Sequence, residues 1–268
     1  MDISRTEKIH AFIKFIFSAL SPKAKGENLI YAFTYGIMCH LLFGIAVIAM
    51  IYHMFYGMQK SYGDLEGALA IMANGALILQ FPVAHSFLLS QRGQKILSLL
   101  GPKDLAISLS TTSFTIVASI QLFALFMLWS PSKIVFELPF EFLIYILPIL
   151  YCLSWFLLIV ATIDAGLEVQ SGALGWISVL ARKKPKFPEL PTSGLYRIIR
   201  HPIYASFFLA VLTVPTWTAD QIVVSLILGG YCIFAPILKD RRLIERHGEK
   251  YLRYKNTTPY MLPSKIIK

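Results

Sequence analysis

Basic residues in this chain gather in four short segments, and long apolar stretches separate those segments. All but Lys60 and Lys133 of the 25 Lys and Arg residues lie in residues 1–28, 91–104, 182–200 and 239–268. Basic residues collect on the cytoplasmic side of the short loops that connect membrane spans. The pattern therefore predicts a multi-pass membrane protein whose four basic segments, and both termini, face the cytoplasm.

Composition supports a membrane protein and excludes several other classes. Hydrophobic residues make up 56% of the chain and charged residues 15%, against about 25% charged residues in a typical soluble domain. The net charge of +10 lies directly beside apolar stretches, where membrane lipids or an anionic substrate are the expected partners rather than nucleic acid. The three cysteines are far apart and form no metal-ligand pattern, so no metal site is predicted.

The apolar stretches predict an all-α, polytopic helical bundle with about six spans. A crossing needs about 20 apolar residues, and the last two stretches are short enough to form a thin hairpin. Six spans, or four spans plus a re-entrant hairpin, return both termini to the cytoplasmic side equally well. The predicted spans are residues 29–56, 67–90, 105–129, 141–163, 202–217 and 221–238.

The absence of a low-complexity linker predicts a single domain over residues 1–268, with N-terminal spans in 1–180 and a C-terminal region in 181–268. Within that region, residues 239–256 predict a cytoplasmic amphipathic helix that lies on the membrane or closes over a pocket. Its predicted inner face carries Asp240, Leu243, Ile244, His247, Tyr251 and Tyr254.

The most distinctive segment is residues 194–204, which read GLYRIIRHPIY. Pro202 suits the first turn of a helix, because its missing N–H would be unpaired there in any case. Arg200 and His201 are thereby placed at a helix N-terminus, where free N–H groups favour an anion. Tyr204 follows on the same face as His201. The alternative interpretation is a basic anchor followed by an ordinary span.

This segment, together with residues 243–263, resembles the C-terminal signature of the integral-membrane methyltransferase superfamily. That superfamily includes isoprenylcysteine carboxyl methyltransferases, phospholipid methyltransferases and NnrU-like proteins. Residues 81–86 (FPVAHS) and 215–218 (PTWT), with the overall length, are similar to the methanethiol S-methyltransferase branch. The matching positions are Gly194, Tyr196, Arg200, His201, Pro202, Tyr204, Leu243, Gly248, Tyr251, Tyr254 and Pro263.

The resemblance implies a methyltransferase that uses S-adenosyl-L-methionine at the boundary between membrane and cytosol, in a bacterial inner membrane. Arg200 would hold the carboxylate of this donor and Asp240 its amino group. Implied catalytic residues are His85, Arg200 and His201. Implied cofactor-binding residues are Tyr196, Arg200, His201, Pro202, Tyr204, Asp240, Leu243, Tyr251 and Tyr254.

The implied acceptor is a small thiol such as methanethiol, with an isoprenylcysteine carboxylate or a phospholipid amine as the alternative. A further alternative is a non-enzymatic membrane protein, either a transporter or a degenerate, non-catalytic binding protein. Lys239, which stands where the superfamily carries the first of two acids, keeps the degenerate protein open. His40, in mid-span, is expected to be either a functional group or a packed, hydrogen-bonded histidine, and Asp164 and Glu168 either border the pocket or are solvated.

Overall fold

Residues 4–263, which the computed structural model describes, form an all-α structure in which no regular strand occurs. One isolated antiparallel bridge joins Val135 and Thr218. In chain order the helices are α1 (Arg5–Phe17), α2 (Glu27–Phe55), α3 (Gly67–Leu88), α4 (Gln91–Leu97), α5 (Ala106–Met127), α6 (Leu143–Ala165), α7 (Leu167–Gln170), α8 (Ala173–Leu180), α9 (Pro202–Leu212), α10 (Ala219–His247) and α11 (Glu249–Thr257).

Five of these helices, α2, α3, α5, α6 and α10, are long and apolar enough to cross a bilayer. Their outer faces carry large apolar side chains that would be unfavourable in water but are suited to lipid, such as Ile107 (83% exposed) and Leu226 (71% exposed). The predicted fold class, a polytopic helical membrane bundle, is confirmed. Lys265 and Lys268 of the last basic segment lie outside the described residues.

The turns that follow α2, α5 and α9 meet at one end of the bundle. Three hydrogen bonds join them: Tyr62 N to Met127 O at 2.8 Å, Thr218 Oγ1 to Gly57 O at 2.6 Å, and Phe136 N to Trp217 O at 2.9 Å. Because the long helices alternate in direction, their other ends, with the four basic segments, lie at the opposite end. The predicted grouping of the basic segments is thus present, and the assignment of that end to the cytoplasm stays a prediction.

The hairpin formed by α9 and α10 runs the length of the bundle. With 11 residues, α9 rises only about 16 Å, so the irregular residues 213–218 complete the path to the far turns. The open carbonyl of Val211 at the end of α9 accepts hydrogen bonds from Gln221 Nε2 (3.0 Å) and Ser225 Oγ (2.7 Å) of α10. These bonds replace the missing helical hydrogen bonds, because every backbone polar group inside a membrane needs a partner. Since the tip of the hairpin reaches the turn after α2 through Thr218 and Gly57, the re-entrant alternative is disfavoured.

The C-terminal amphipathic segment differs from the single helix predicted over residues 239–256. Residues 239–247 continue α10, the last long apolar helix, without interruption. The chain then turns at Gly248, whose φ of +51° is favourable for glycine, and α11 begins. The break lets α11 fold back toward the start of α9, an arrangement that one continuous helix would not reach.

The tightest apolar packing lies toward the end of the bundle that holds the turns after α2, α5 and α9. Met54, Ile78, Phe126, Trp129 and Tyr151 are all buried there, at the meeting of α2, α3, α5 and α6. At the basic end a smaller apolar cluster, which includes Ala32, Leu109 and Leu180, lies beside charged contacts such as Arg5–Asp164 and His201–Asp240. The buried charges make this end the part of the structure where a polar site can be built.

Candidate functional site

A cavity of about 150 Å³ lies at the basic end of the bundle, between α6, α10, α11 and the irregular segment 181–193. Its wall is partly aromatic and partly cationic, and the exposed Glu189 marks its opening to water. The lining residues are Ala165, Val169, Gln170, Phe187, Pro188, Glu189, Leu190, Pro191, Tyr196, Arg200, Lys239, Leu243, Arg246, His247, Tyr251 and Tyr254.

The start of α9 has the geometry that the sequence predicts. Pro202 is the first helical residue and His201 is the N-cap, with φ −127° and ψ 55°. The peptide N–H of Arg200 donates to the carbonyl of Pro259 (2.8 Å), and that of His201 to the carbonyl of Tyr260 (3.3 Å). The C-terminal tail therefore fixes this motif through its backbone.

Asp240 is the centre of the charged network behind the cavity wall. It is only 5% exposed, and its Oδ1 accepts a short hydrogen bond from the phenol of Tyr251. His201 Nε2 lies 2.9 Å from the same oxygen, and Arg200 Nη2 and Lys255 Nζ lie 3.6 and 3.8 Å from Oδ2. One carboxylate thus links α9, α10 and α11.

Arg200 joins the same network from the other side. Its Nη1 donates to the carbonyl of Lys255 (2.7 Å), and its guanidinium lies 5.5 Å from the ring centroid of Tyr260. The planar fork of arginine satisfies these contacts together with the ion pair to Asp240. Its Nε remains buried without a hydrogen-bond partner among the described residues. Arg200 therefore has one donor left for a ligand.

His201 is 1% exposed and packs edge-on against the ring of Tyr260, with the centroids 5.0 Å apart. Burial lowers its pKa, although the nearby Asp240 acts in the opposite direction. The imidazole is consequently neutral at pH 7. Despite the short distance to Asp240, neither ring nitrogen has hydrogen-bond geometry to any described residue.

Two tyrosines connect the motif to α11. The phenol of Tyr254 donates to the carbonyl of Tyr196 at 2.6 Å, while the phenol of Tyr196 itself is buried without a partner among residues 4–263. Burial raises the pKa of both phenols, so both keep their protons at neutral pH. Tyr196 therefore presents a neutral donor and acceptor to the cavity that it lines.

Asp164 anchors the loop that carries the motif and is not solvated. It is 2% exposed and pairs with the guanidinium of Arg5 through two hydrogen bonds of 2.9 and 2.8 Å. Its Oδ2 also accepts from the peptide N–H of Leu195 at 2.9 Å. The sequence allowed Asp164 either at the pocket wall or in solvent. In the structure Asp164 instead holds the loop that carries Tyr196 and Arg200.

Replacing Gly194 by alanine should destabilise this anchor. Gly194 has φ +62°, and a Cβ there would overlap the carboxylate of Asp164. A left-handed conformation costs a residue with a Cβ about 1–2 kcal/mol, and the displaced carboxylate adds to that loss. A lower thermal unfolding temperature in detergent would show it, with Gly230→Ala as control, because open space surrounds that glycine. Equal unfolding temperatures for the two variants would contradict the packing described.

Among the residues implied as cofactor-binding, Tyr196, Arg200, Leu243, Tyr251 and Tyr254 line the cavity. The others lie behind its wall: His201 and Asp240 form the buried network, Pro202 begins α9, and the ring of Tyr204 lies 5.5 Å from the ammonium of Lys239. The structure thus brings the two C-terminal motifs together around one space.

His85 lies apart from this cavity. Its ring packs among Phe81 and Phe114, each with a centroid 4.9 Å away, and Tyr231 at 6.4 Å. Its Nδ1 is buried and has no hydrogen-bond partner in the described part of the chain. His40 is farther still, since its Nε2 accepts from Trp176 Nε1 at 3.1 Å and so acts as a packed, hydrogen-bonded histidine.

Sequence reasoning missed two contributors to the site. Tyr260 covers both Arg200 and His201, and its phenol donates to the carbonyl of Ile233 at 2.7 Å. The aromatic residue directly after Thr258 and Pro259, near the end of the C-terminal motif, was a signal for it. Arg5, on α1, had no local signal, because its partner Asp164 is 159 positions away.

The residues of this cavity fit the amino-acid part of S-adenosylmethionine. Arg200 Nε, the Tyr196 phenol and both ring nitrogens of His201 are buried without partners among residues 4–263, whereas buried polar atoms are normally paired. A ligand with both donors and acceptors would satisfy them. The volume is below the roughly 300–1,000 Å³ of most small-molecule sites, so the cavity in this conformation holds only part of the donor.

Fold and site together define a polytopic helical membrane protein with a cationic cavity at one end of its bundle. The chain is 27% identical to the methanethiol S-methyltransferase of Pseudomonas deceptionensis over 212 residues, 78% of this chain and 79% of that protein. It is 26% identical to methanethiol S-methyltransferase 1 of Bradyrhizobium diazoefficiens over 252 residues, 91% and 87% of the two chains.

A third relative, the methanethiol S-methyltransferase of Mycobacterium tuberculosis, is 24% identical over 197 residues, 72% of this chain and 78% of that protein. These relatives confirm the resemblance drawn from the motifs and indicate an enzyme of the methyltransferase class. No family model and no solved structure matches the sequence.

Proposed function

We propose that this protein transfers the methyl group of S-adenosylmethionine to a small thiol such as methanethiol, at the basic end of its membrane bundle. The observation that carries the proposal is the meeting of the two C-terminal motifs around one cavity through Asp240. The names of the relatives support thiol S-methylation in general.

The roles proposed for the residues follow from charge and position. Arg200, with a free donor at Nε, binds the carboxylate of the donor. Asp240, the nearest buried carboxylate, balances its amino group and holds Arg200 and His201 in place. The Tyr196 phenol completes the polar wall, and neutral His201 lies behind it next to Asp240. The donor, once bound, supplies an electrophilic methyl group on a sulfonium, and the protein's contribution is orientation.

A small acceptor fits this site better than a lipid. The cavity is narrow, and its opening at Glu189 is exposed to water. His85 lies outside this cavity, in the last turn of α3 at the basic end of the bundle, and it is proposed on the acceptor side because its Nδ1 is unpartnered among the described residues and surrounded by apolar rings. A volatile thiol dissolves in the bilayer and a charged donor in water, so a site between them serves both.

Purified full-length protein in detergent tests the proposal directly. Binding of S-adenosylmethionine would be measured by calorimetry, and methylated products by mass spectrometry with methanethiol, sulfide, a farnesyl-cysteine analogue and phosphatidylethanolamine as acceptors. We expect saturable binding and product from methanethiol. Absence of donor binding would contradict the proposed enzyme, whereas product from a lipid acceptor alone would contradict the proposed substrate.

A further inference from the structure

Lys239 stands in place of the first acid of the pair that the resembled superfamily carries, and the structure shows which residues surround its ammonium group. Neighbouring residues on an α-helix point about 100° apart, so Lys239 and Asp240 serve different sides of α10. Asp240 faces the buried network with His201 and Tyr251. Lys239 is one of the residues that line the cavity, and its Nζ lies 5.5 Å from the ring centroid of Tyr204, which does not line it.

The ammonium of Lys239 has no carboxylate within ion-pair distance among residues 4–263. Glu189 is the acid on the cavity wall, but it is directed outward to Lys250 at 3.2 Å. Asp240 is already in contact with Arg200, His201 and Lys255. A partly buried cation without a counterion is unfavourable, so it either gives up its proton or is stabilised by a ligand that supplies the negative charge.

We infer that Lys239 forms the acceptor subsite of the cavity and binds the substrate as its thiolate anion. This inference rests on the proposed function and names the substrate's ionisation state and the residue that recognises it. Arg200, which also lines the cavity and is tied to α11 through the Lys255 carbonyl, remains for the carboxylate of the donor. Lys239 thus binds the thiolate of the acceptor, and Arg200 binds the carboxylate of the donor.

The chemistry of the step requires such a charge. A thiol is a weak nucleophile, and the thiolate is the reactive form. The thiol releases its proton to water at the mouth of the cavity, and the thiolate sulfur forms a bond to the methyl carbon. The bond between that carbon and the donor's sulfonium breaks, and its electron pair remains on the donor sulfur, which leaves as a neutral thioether.

Other titratable groups lie in or beside the same space and must be held constant in a test. Those that line the cavity are Glu189, Tyr196, Arg200, Arg246, His247, Tyr251 and Tyr254. Asp240 and Arg242 of α10 and the phenol of Tyr204 of α9 lie close to Lys239 without lining the cavity. A single substitution at Lys239 leaves all of them in place.

The test compares Lys239→Met, Lys239→Arg and the wild type as full-length proteins. An opposite charge 4–6 Å away lowers the pKa of an acid by about 1–3 units. We therefore expect Lys239→Met to move the pH profile of kcat/KM for methanethiol upward by about 1–3 units, with unchanged Kd for S-adenosylmethionine. Lys239→Arg should keep the wild-type profile. Arg241→Gln, an exposed neighbour on α10, is the matched control.

A second measurement does not depend on turnover. Thiocyanate, a small soft anion, should bind the donor-free wild type and inhibit competitively with methanethiol. Lys239→Met should bind thiocyanate at least about tenfold more weakly than the wild type. A superimposable pH profile and equal thiocyanate affinity would overturn the inference. Weaker donor binding in Lys239→Met would overturn it too, because Lys239 would then hold the donor's carboxylate. If the wild type methylates no thiol, the proposed function fails separately.

Discussion

Replacing Asp240 by asparagine is expected to abolish donor binding and to destabilise the C-terminal region. Asparagine keeps the size of the side chain but removes the negative charge that lies next to the cations of Arg200 and Lys255. Breaking a buried ion pair by removing one partner usually costs about 3–5 kcal/mol, because the other charge is left uncompensated. The protein should fold less stably, and its remaining folded fraction should not bind S-adenosylmethionine.

Two measurements separate the effects on folding and on binding. Thermal unfolding in detergent reports stability, and calorimetry at a temperature where the variant is folded reports donor binding. Glu245→Gln is the matched control, since Glu245 lies one and a half turns further along α10, is exposed, and makes no ion pair with a described residue. Normal donor affinity in folded Asp240→Asn would refute the role given to this carboxylate.

Arg200→Lys should weaken donor binding by about tenfold to a hundredfold while the protein stays folded. Lysine keeps the positive charge, but it has neither the fork that reaches the Lys255 carbonyl and Asp240 together nor the plane that covers Tyr260. Losing one charge-assisted hydrogen bond of about 1.5–3 kcal/mol corresponds to that change in Kd, because about 1.4 kcal/mol is a factor of ten. The Kd for S-adenosylmethionine, measured by calorimetry, checks it.

Arg197→Lys provides the comparison for this variant. Arg197 belongs to the same motif and lies three residues earlier, but it is exposed and absent from the charged network around Asp240. Its replacement should leave the Kd unchanged. If both variants bound the donor equally well, charge alone would suffice at position 200, and the directional role of the guanidinium would be wrong.

The membrane fold was predictable from local sequence because each span is recognisable from its own apolar length. The predicted span 105–129 corresponds to α5 (Ala106–Met127), and 141–163 to α6 (Leu143–Ala165). Apolar length sets such elements without knowledge of their neighbours. The 202–217 stretch was different: α9 stops at Leu212, and side chains of α10 complete its hydrogen bonding. Sequence patterns near one element do not show such support from another.

The candidate site was predictable in part, for a similar reason. The geometry of Pro202 and His201 follows from local rules of helix capping, and the structure has it. The position of Asp164 did not follow, since its burial depends on Arg5 at the other end of the chain. The placement of Tyr260 over Arg200 likewise depends on where the tail folds back.

The sequence by itself determined the class of structure, the grouping of charge at one end, and the residue types around the start of α9. Apolar length, charge distribution and helix capping act over short stretches of chain, so they can be predicted from the sequence alone. Only the tertiary structure decided that Asp240 is tied into the network with His201 while Lys239 faces the cavity. That division depends on how α9, α10 and α11 pack, and contacts between elements distant in sequence set that packing.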